Sequence, residues 1–258
     1  MKSFWTSASL CFALLFLVGP FAVVFIAGFS DADSLNFPPV SYSVRWFWQV
    51  VQEQAFRRSF YTSLWVAMGG TCVALTLGIP VAYALSRFKV PGSDWIRAVL
   101  TLPVVVPGII VGLALLHHMV LFYNLPVLAS LLVGHAALLL PYAVRVVSAS
   151  LGNLRADIDE AAMTLGATRW QTFFLIVLPN IRTGVAAAFV LAFITSFNQV
   201  PVSLFLTGPG VSTLPIEMLA YMETSYDPSI AALSTLLVVF TIVVVALTEK
   251  LLGISRFM

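Results

Sequence analysis

Six long apolar stretches separated by short polar ones set the pattern of this chain, over residues 8–29, 59–85, 96–122, 127–147, 183–206 and 230–252. Each is a continuous run that reaches the roughly 20 residues a helix needs to cross the hydrocarbon of a bilayer. The short alternating segments of a membrane β-barrel do not appear. The pattern therefore predicts an all-α, polytopic membrane protein with six transmembrane helices, organised as a single membrane domain over 1–258. The first stretch, after Lys2, is longer than the apolar core of a secretory signal, and it is read as a membrane-spanning anchor.

Three polar connections refine this picture. Residues 30–58 carry Pro38-Pro39 and then Arg45-Trp46-Phe47-Trp48. Tryptophan and its aromatic neighbours favour the headgroup zone, so a short helix on the membrane surface is expected there. Residues 207–229 hold Glu217, Glu223 and Asp227 but no Lys or Arg.

The third connection, 154–179, is a polar island with internal punctuation. Asp157 precedes Glu160 by three residues, the spacing of a capping box, which predicts a helix from about Ile158 with an acidic first turn favoured by the helix dipole. Gly166 is placed to end that helix in the left-handed conformation common just beyond a helix. Thr168 and Gln171 repeat the capping spacing, so a second helix is expected from Arg169, ending near Pro179. Ala161 and Ala162 offer little side chain, so a partner's surface could approach closely. By composition alone the resulting two-helix knob fits equally well as an amphipathic hairpin lying on the membrane.

Composition supports the membrane class. Of 258 residues 60% are hydrophobic and 9% charged, against roughly 25% charged in soluble domains. The net charge of +2 gives no reason to expect nucleic acid. The distribution of Lys and Arg matters more, because cytoplasmic loops are enriched in them. Lys2, Arg87, Lys89, Arg97, Arg145, Arg155, Arg169, Arg182, Lys250 and Arg256 fall on one side, and only Arg45, Arg57 and Arg58 on the other. This bias places both termini and the 154–179 knob in the cytoplasm.

Candidate chemistry inside the spans is sparse. Phe197, Asn198 and Gln199, followed by Pro201, interrupt the fifth stretch. A kinked polar point of this kind is tolerated where it faces a cavity or another helix, and lining of a translocation path is favoured here over helix–helix hydrogen bonding. Pro103, Pro107, Gly108 and Gly112 in the third stretch suit close packing. His117, His118 and His135 raise a metal or haem hypothesis, but adjacent histidines point about 100° apart on a helix, and interhelical hydrogen bonds are the preferred reading. Cys11 and Cys72 lie in apolar runs as packing groups. No Gly-x-x-x-x-Gly-Lys-Ser/Thr phosphate loop occurs, so ATP cannot be bound here in that manner.

The order Glu160-Ala161-Ala162, Gly166, then Ile176, Leu178 and Pro179 resembles the EAA loop of ATP-binding-cassette importer permeases of type I. Ser63-Leu64-Trp65-Val66-Ala67, Ala82-Tyr83-Ala84-Leu85-Ser86-Arg87-Phe88 and the run from Leu102-Pro103 to Pro107 extend the likeness over nearly the whole chain. The resemblance implies a coupling helix, with Glu160, Ala161, Ala162 and Gly166 docking into a cytoplasmic ATPase subunit and Arg169 and Trp170 flanking it. It implies as partners a second permease, two ATPase subunits that carry ATP and Mg, and a periplasmic or extracytoplasmic solute-binding protein. It also implies a bacterial cytoplasmic-membrane location, and a transport role with no cofactor or enzymatic activity in this chain.

The segment from Ser196 through Thr207-Gly208-Pro209-Gly210 to Thr213-Leu214-Pro215 is similar to spermidine/putrescine-type permeases. That subgroup often has an acidic pair where this chain has Asn198-Gln199, so a polyamine and a zwitterionic or anionic small solute both remain open. Two other classes compete. A stand-alone secondary transporter should show internal repeats and intramembrane ionisable groups, and neither is evident. A redox protein ligated by His117 or His118 with His135 would be coloured when purified.

Overall fold

The computed structural model describes residues 2–155 and 157–252, so the Arg256 used in the charge count lies outside the described residues. The described chain is helical, with isolated β-bridges only between Ser30 and Tyr42 and between Gly208 and Val211. Among the described residues four helices are long and apolar enough to span a bilayer, or up to six when each of two bent pairs is taken as one span. The chain divides into two compact units, residues 1–58 with 217–243, and 59–216 with 244–258.

The first unit holds α1 (Lys2–Gly28), α2 (Arg45–Gln52), the start of α3 (Gln54–Arg87), most of α11 (Leu214–Thr224) and much of α12 (Ser229–Leu252). α2 is the short helix expected in the 30–58 connection, with Trp46 and Val50 buried and Trp48 exposed. Phe25, Phe29 and Phe47 stack in succession at ring separations of 5.1 and 4.7 Å, tying α2 to the end of α1. Most large side chains of α1, from Leu10 through Phe25, are exposed, as lipid-facing residues are.

The second unit contains most of α3, then α4 (Ser93–Val105), α5 (Gly108–Phe122), α6 (Val127–Asn153), α7 (Asp157–Thr164), α8 (Arg169–Asn180), α9 (Arg182–Phe197) and the single turn α10 (Ser203–Leu206). Its main core joins Ala74, Ala82 and Leu85 of α3 to Leu139, Ala143, Val147 and Leu151 of α6 and to Ala188 and Ala192 of α9. Alanine recurs because apolar helices surrounded by lipid gain nothing from burying more hydrocarbon, so they associate through close approach of small residues.

Two expected spans are corrected. The third is broken: α4 and α5 meet at 99°. Val106 is extended (φ −73°, ψ 134°) because the residue before Pro107 is sterically barred from the helical region, and the helix restarts at Gly108. The fifth span ends at Phe197 instead of 206, since Pro201 similarly disfavours helix at the residue before it. Gly112 of α5 packs there, where an added Cβ would stand 2.8 Å from the Pro201 carbonyl oxygen. The third-stretch glycine thus serves packing. α8 and α9 also meet at an angle, 71°. Pro179 gives no N–H to the ladder, and the Asn180 side chain donates to the Ile176 carbonyl at 2.7 Å, so α8 runs one residue past Pro179.

Candidate functional site

α6 ends at Asn153, and Leu154, in an extended conformation, leads towards α7. α7 starts at Asp157, one residue earlier than expected. Asp157 is thus itself helical and sits as a first-turn acid instead of a cap outside the helix, and its carboxylate accepts from Arg155 Nε at 3.1 Å. The hydrogen bond from Arg155 holds the Asp157 carboxyl below its usual range, and the same contact raises Arg155. At the other end Gly166 N–H donates to the Met163 carbonyl at 3.0 Å, and Ala167 N–H to the Ala162 carbonyl at 3.1 Å. This is the paired pattern of a Schellman cap, and Gly166 supplies the φ of +93° that it demands. The capping box at Thr168 forms as expected: Thr168 Oγ1 accepts from Gln171 N–H at 3.3 Å and Gln171 Oε1 accepts from Thr168 N–H at 2.8 Å.

α7 and α8 thus form a compact hairpin with two distinct faces. Glu160, Ala161, Gly166, Arg169 and Trp170 are exposed, and Leu165 is 89% exposed. Ala162, to which the resemblance gives a docking role beside Ala161, is buried. It shares with Asp159 the face that turns inward, because residues three apart lie on one side of a helix. Trp170 stacks on Phe174 at 6.0 Å.

The inward face meets the last turn of α3. Asp159 Oδ2 lies 3.4 Å from Arg87 Nε, with the two side chains 10% and 9% exposed. It also accepts from the Tyr83 hydroxyl at 3.2 Å. Arg87 Nη2 donates to the Leu154 carbonyl at 2.8 Å. The Tyr83 ring packs on Phe173 at 4.9 Å, and the Arg169 guanidinium lies 5.4 Å from the Phe88 ring. Sequence reasoning quoted Tyr83 and Arg87 only within the family-like run 82–88 and gave neither them nor Asp159 a role in a site. The available signals were an arginine at the last position of a span and an acid one residue before Glu160.

The residues assigned to a path are separated by the structure. Phe197 is buried, 3% exposed, between Phe193 and Phe60, each 5.9 Å away. Asn198 is exposed, and its side chain donates to Ile194 of its own helix at 3.1 Å. Gln199 is half-buried. His135 is buried on α6 and contacts Ser196 Oγ through Nδ1 at 2.7 Å and Ser203 Oγ through Nε2 at 3.0 Å. It therefore makes the interhelical bonds expected of it and fastens both sides of the 198–202 break. His118 Nδ1 lies 2.9 Å from the Ala114 carbonyl oxygen of its own helix.

The chain matches the sequence pattern of the binding-protein-dependent transport system inner membrane component over residues 74–253. It is 30% identical over 244 residues to the putrescine transport system permease protein PotI of Escherichia coli, covering 92% of this chain and 86% of that protein. Over 211 residues it is 29% identical to the spermidine/putrescine transport system permease protein PotC of Escherichia coli, covering 81% and 79% respectively. Its fold superposes with a TM-score of 0.73, at 17% identity, on a chain of a bacterial ABC transporter involved in alginate import, with 96% of this chain and 95% of that one covered. With its apolar helices, its capped hairpin and these relatives together, the chain belongs to the inner-membrane permease components of binding-protein-dependent ABC importers.

Proposed function

We propose that this chain is the subunit that, with a second and non-identical permease, encloses the path of an ATP-driven importer. An external solute-binding protein delivers the solute to it. The α7–α8 hairpin docks into one of two cytoplasmic ATPase subunits, with Glu160, Ala161, Gly166, Arg169 and Trp170 as the contact face and Ala162 supporting it from within. ATP and Mg reside in those subunits, and both termini of this chain lie in the cytoplasm. The solute is a polyamine or related amine-bearing compound, a reading supported by the putrescine and spermidine/putrescine permeases among its relatives.

The observation that carries the docking assignment is the exposed outer face of a hairpin capped at both of its internal helix ends. A surface helix needs no such rigid punctuation to lie on lipid, whereas a lever does. Glu160→Lys, which reverses the charge on that face, is expected to release the ATPase subunit during purification. Full retention of that subunit, with binding-protein-stimulated hydrolysis intact, would refute the assignment. For the solute, mass spectrometry of the cargo carried by the cognate binding protein is expected to find a di- or polyamine, and an anionic cargo would overturn that reading.

A further inference from the structure

The hairpin is joined to the rest of its unit by more than the two chain segments that enter and leave it. Both of its helices grip the last turn of α3. α7 does so through Asp159, which meets Tyr83 and Arg87. α8 does so through Phe173 against Tyr83, and its Arg169 lies over Phe88, the residue just past α3. Arg87 is the final residue of α3. Its guanidinium reaches Asp159 on α7 and the Leu154 carbonyl that terminates α6. One planar group with donors fixed in a fork therefore fastens the ends of three elements, which a lysine ammonium, a single point charge, cannot do in the same way.

Stability alone does not account for this pair. Burying two charges costs enough desolvation that an apolar pair of similar volume often serves as well. Directional bonds flank the pair: the Tyr83 hydroxyl donates to Asp159 and Arg87 Nη2 donates to the Leu154 carbonyl, while Arg87 Nε and Asp159 meet as charges at 3.4 Å with no hydrogen bond between them; together these contacts fix how the three ends sit. The covalent routes out of the hairpin are poor transmitters by comparison. Leu154 is extended, outside the helix of α6, and α8 joins α9 through a 71° break.

We propose that the Arg87–Asp159 pair, braced by Tyr83, is the joint through which displacement of the hairpin moves α3, and that these three are positioning residues for coupled transport. The proposal rests on the reading of α7–α8 as the ATPase docking element. Within it, α3 is the helix driven most directly by ATP-dependent movement of the ATPase subunits.

The test uses the assembled transporter in liposomes with its binding protein, and compares Arg87→Asp, Asp159→Arg and the double exchange. Three quantities are read: ATPase subunit retained after purification, basal hydrolysis, and the stimulation of hydrolysis and uptake by loaded binding protein. Each single exchange is expected to keep the ATPase subunit and basal hydrolysis while losing stimulation and uptake by about tenfold or more, in the range of ordinary coupling effects. The double exchange is expected to recover much of both. Because a single exchange places like charges together in a buried site, Arg87→Lys and Tyr83→Phe provide milder variants. In both, a graded loss of stimulation with the ATPase subunit still bound is expected.

Unchanged stimulation in Arg87→Lys and Tyr83→Phe would overturn the proposal, as would failure of the double exchange to recover any coupling. Loss of the ATPase subunit in the single exchanges would also overturn it, since the pair would then only shape the docking helix. Failure of the docking reading itself is seen separately, as retention of the ATPase subunit and of stimulation in Glu160→Lys.

Discussion

Gly184 offers the most direct test of how the helices framing the hairpin pack. It lies in the first turn of α9, opposite Ser150 in the last turn of α6. A Cβ built at Gly184 would stand 1.7 Å from Ser150 Oγ and 2.5 Å from Ser150 Cβ, but 3.8 Å from Ser150 Cα. The hydroxyl can rotate away; the Cβ is fixed to the α6 backbone. Since carbon atoms prefer about 3.5–4.0 Å, Gly184→Ala must part the helices by about 1 Å. Overpacking of this kind costs about 1–3 kcal/mol, partly offset by the gain of about 1 kcal/mol when alanine replaces glycine inside a helix.

The net expectation for Gly184→Ala is a loss of up to about 2 kcal/mol. In a Ser150→Gly background both clashing atoms are gone and only the distant Cα remains, so the same substitution should stabilise by about 1 kcal/mol. The sign of the effect therefore reverses between backgrounds. The assay is thermal unfolding of the detergent-solubilised protein at one fixed scan rate, where about 1 kcal/mol corresponds to about 2–4 °C for a chain of this size. A Gly184→Ala variant that raises the midpoint in both backgrounds would refute the packing argument. Transport measured on the same variants would show whether the spacing of α6 and α9 also sets the seat of the hairpin.

Two further outcomes are expected. His135→Leu leaves the buried hydroxyls of Ser196 and Ser203 without their partner; an unpaired buried group costs about 1–3 kcal/mol, reduced where a serine can turn to a carbonyl of its own helix. Adding Ser196→Ala and Ser203→Ala should recover most of the lost thermal stability, and a further additive loss would show that the network does not act as a unit. Asp157→Asn, by contrast, should leave the unfolding midpoint unchanged at neutral pH, because its pair with Arg155 is exposed and screened. The Asp157 carboxyl is held below its ordinary 3.8 by Arg155; any stabilisation it gives is present above that value and fades as the pH falls through the lowered one. Any small gap between variant and parent therefore lies at neutral pH and closes in acid, and a clear gap at neutral pH would count against a solvated pair.

Much of the hairpin was legible in the sequence because its signals are local. Gly166 and the Thr168–Gln171 box answer a requirement of the helix ends themselves, whose backbone groups lack partners whatever lies around them. Glu160 and Trp170 are exposed as their polar surroundings led one to expect. The burial of Ala162 was not legible, for a different reason. Alanine carries little information about facing, and only the packing of α7 decided that its face belongs with Asp159. The same holds for Phe197, which lies in the interrupted stretch yet turns into the protein against Phe60 of α3.

The sequence by itself determined the all-α membrane class, the approximate apolar runs and the two caps, since hydropathy and unpaired backbone groups act over a few residues. Pro201 also marked an interruption of the fifth stretch, but the break at Pro107, the 99° between α4 and α5 and the packing of Gly112 against Pro201 were not marked. The tertiary structure alone decided which groups meet across long separations: Arg87 with Asp159 and Leu154, His135 with Ser196 and Ser203, Ser150 with Gly184. Such pairings leave no periodic trace along the chain, because they are fixed by how helices of similar composition cross, and many crossings bury apolar surface about equally well.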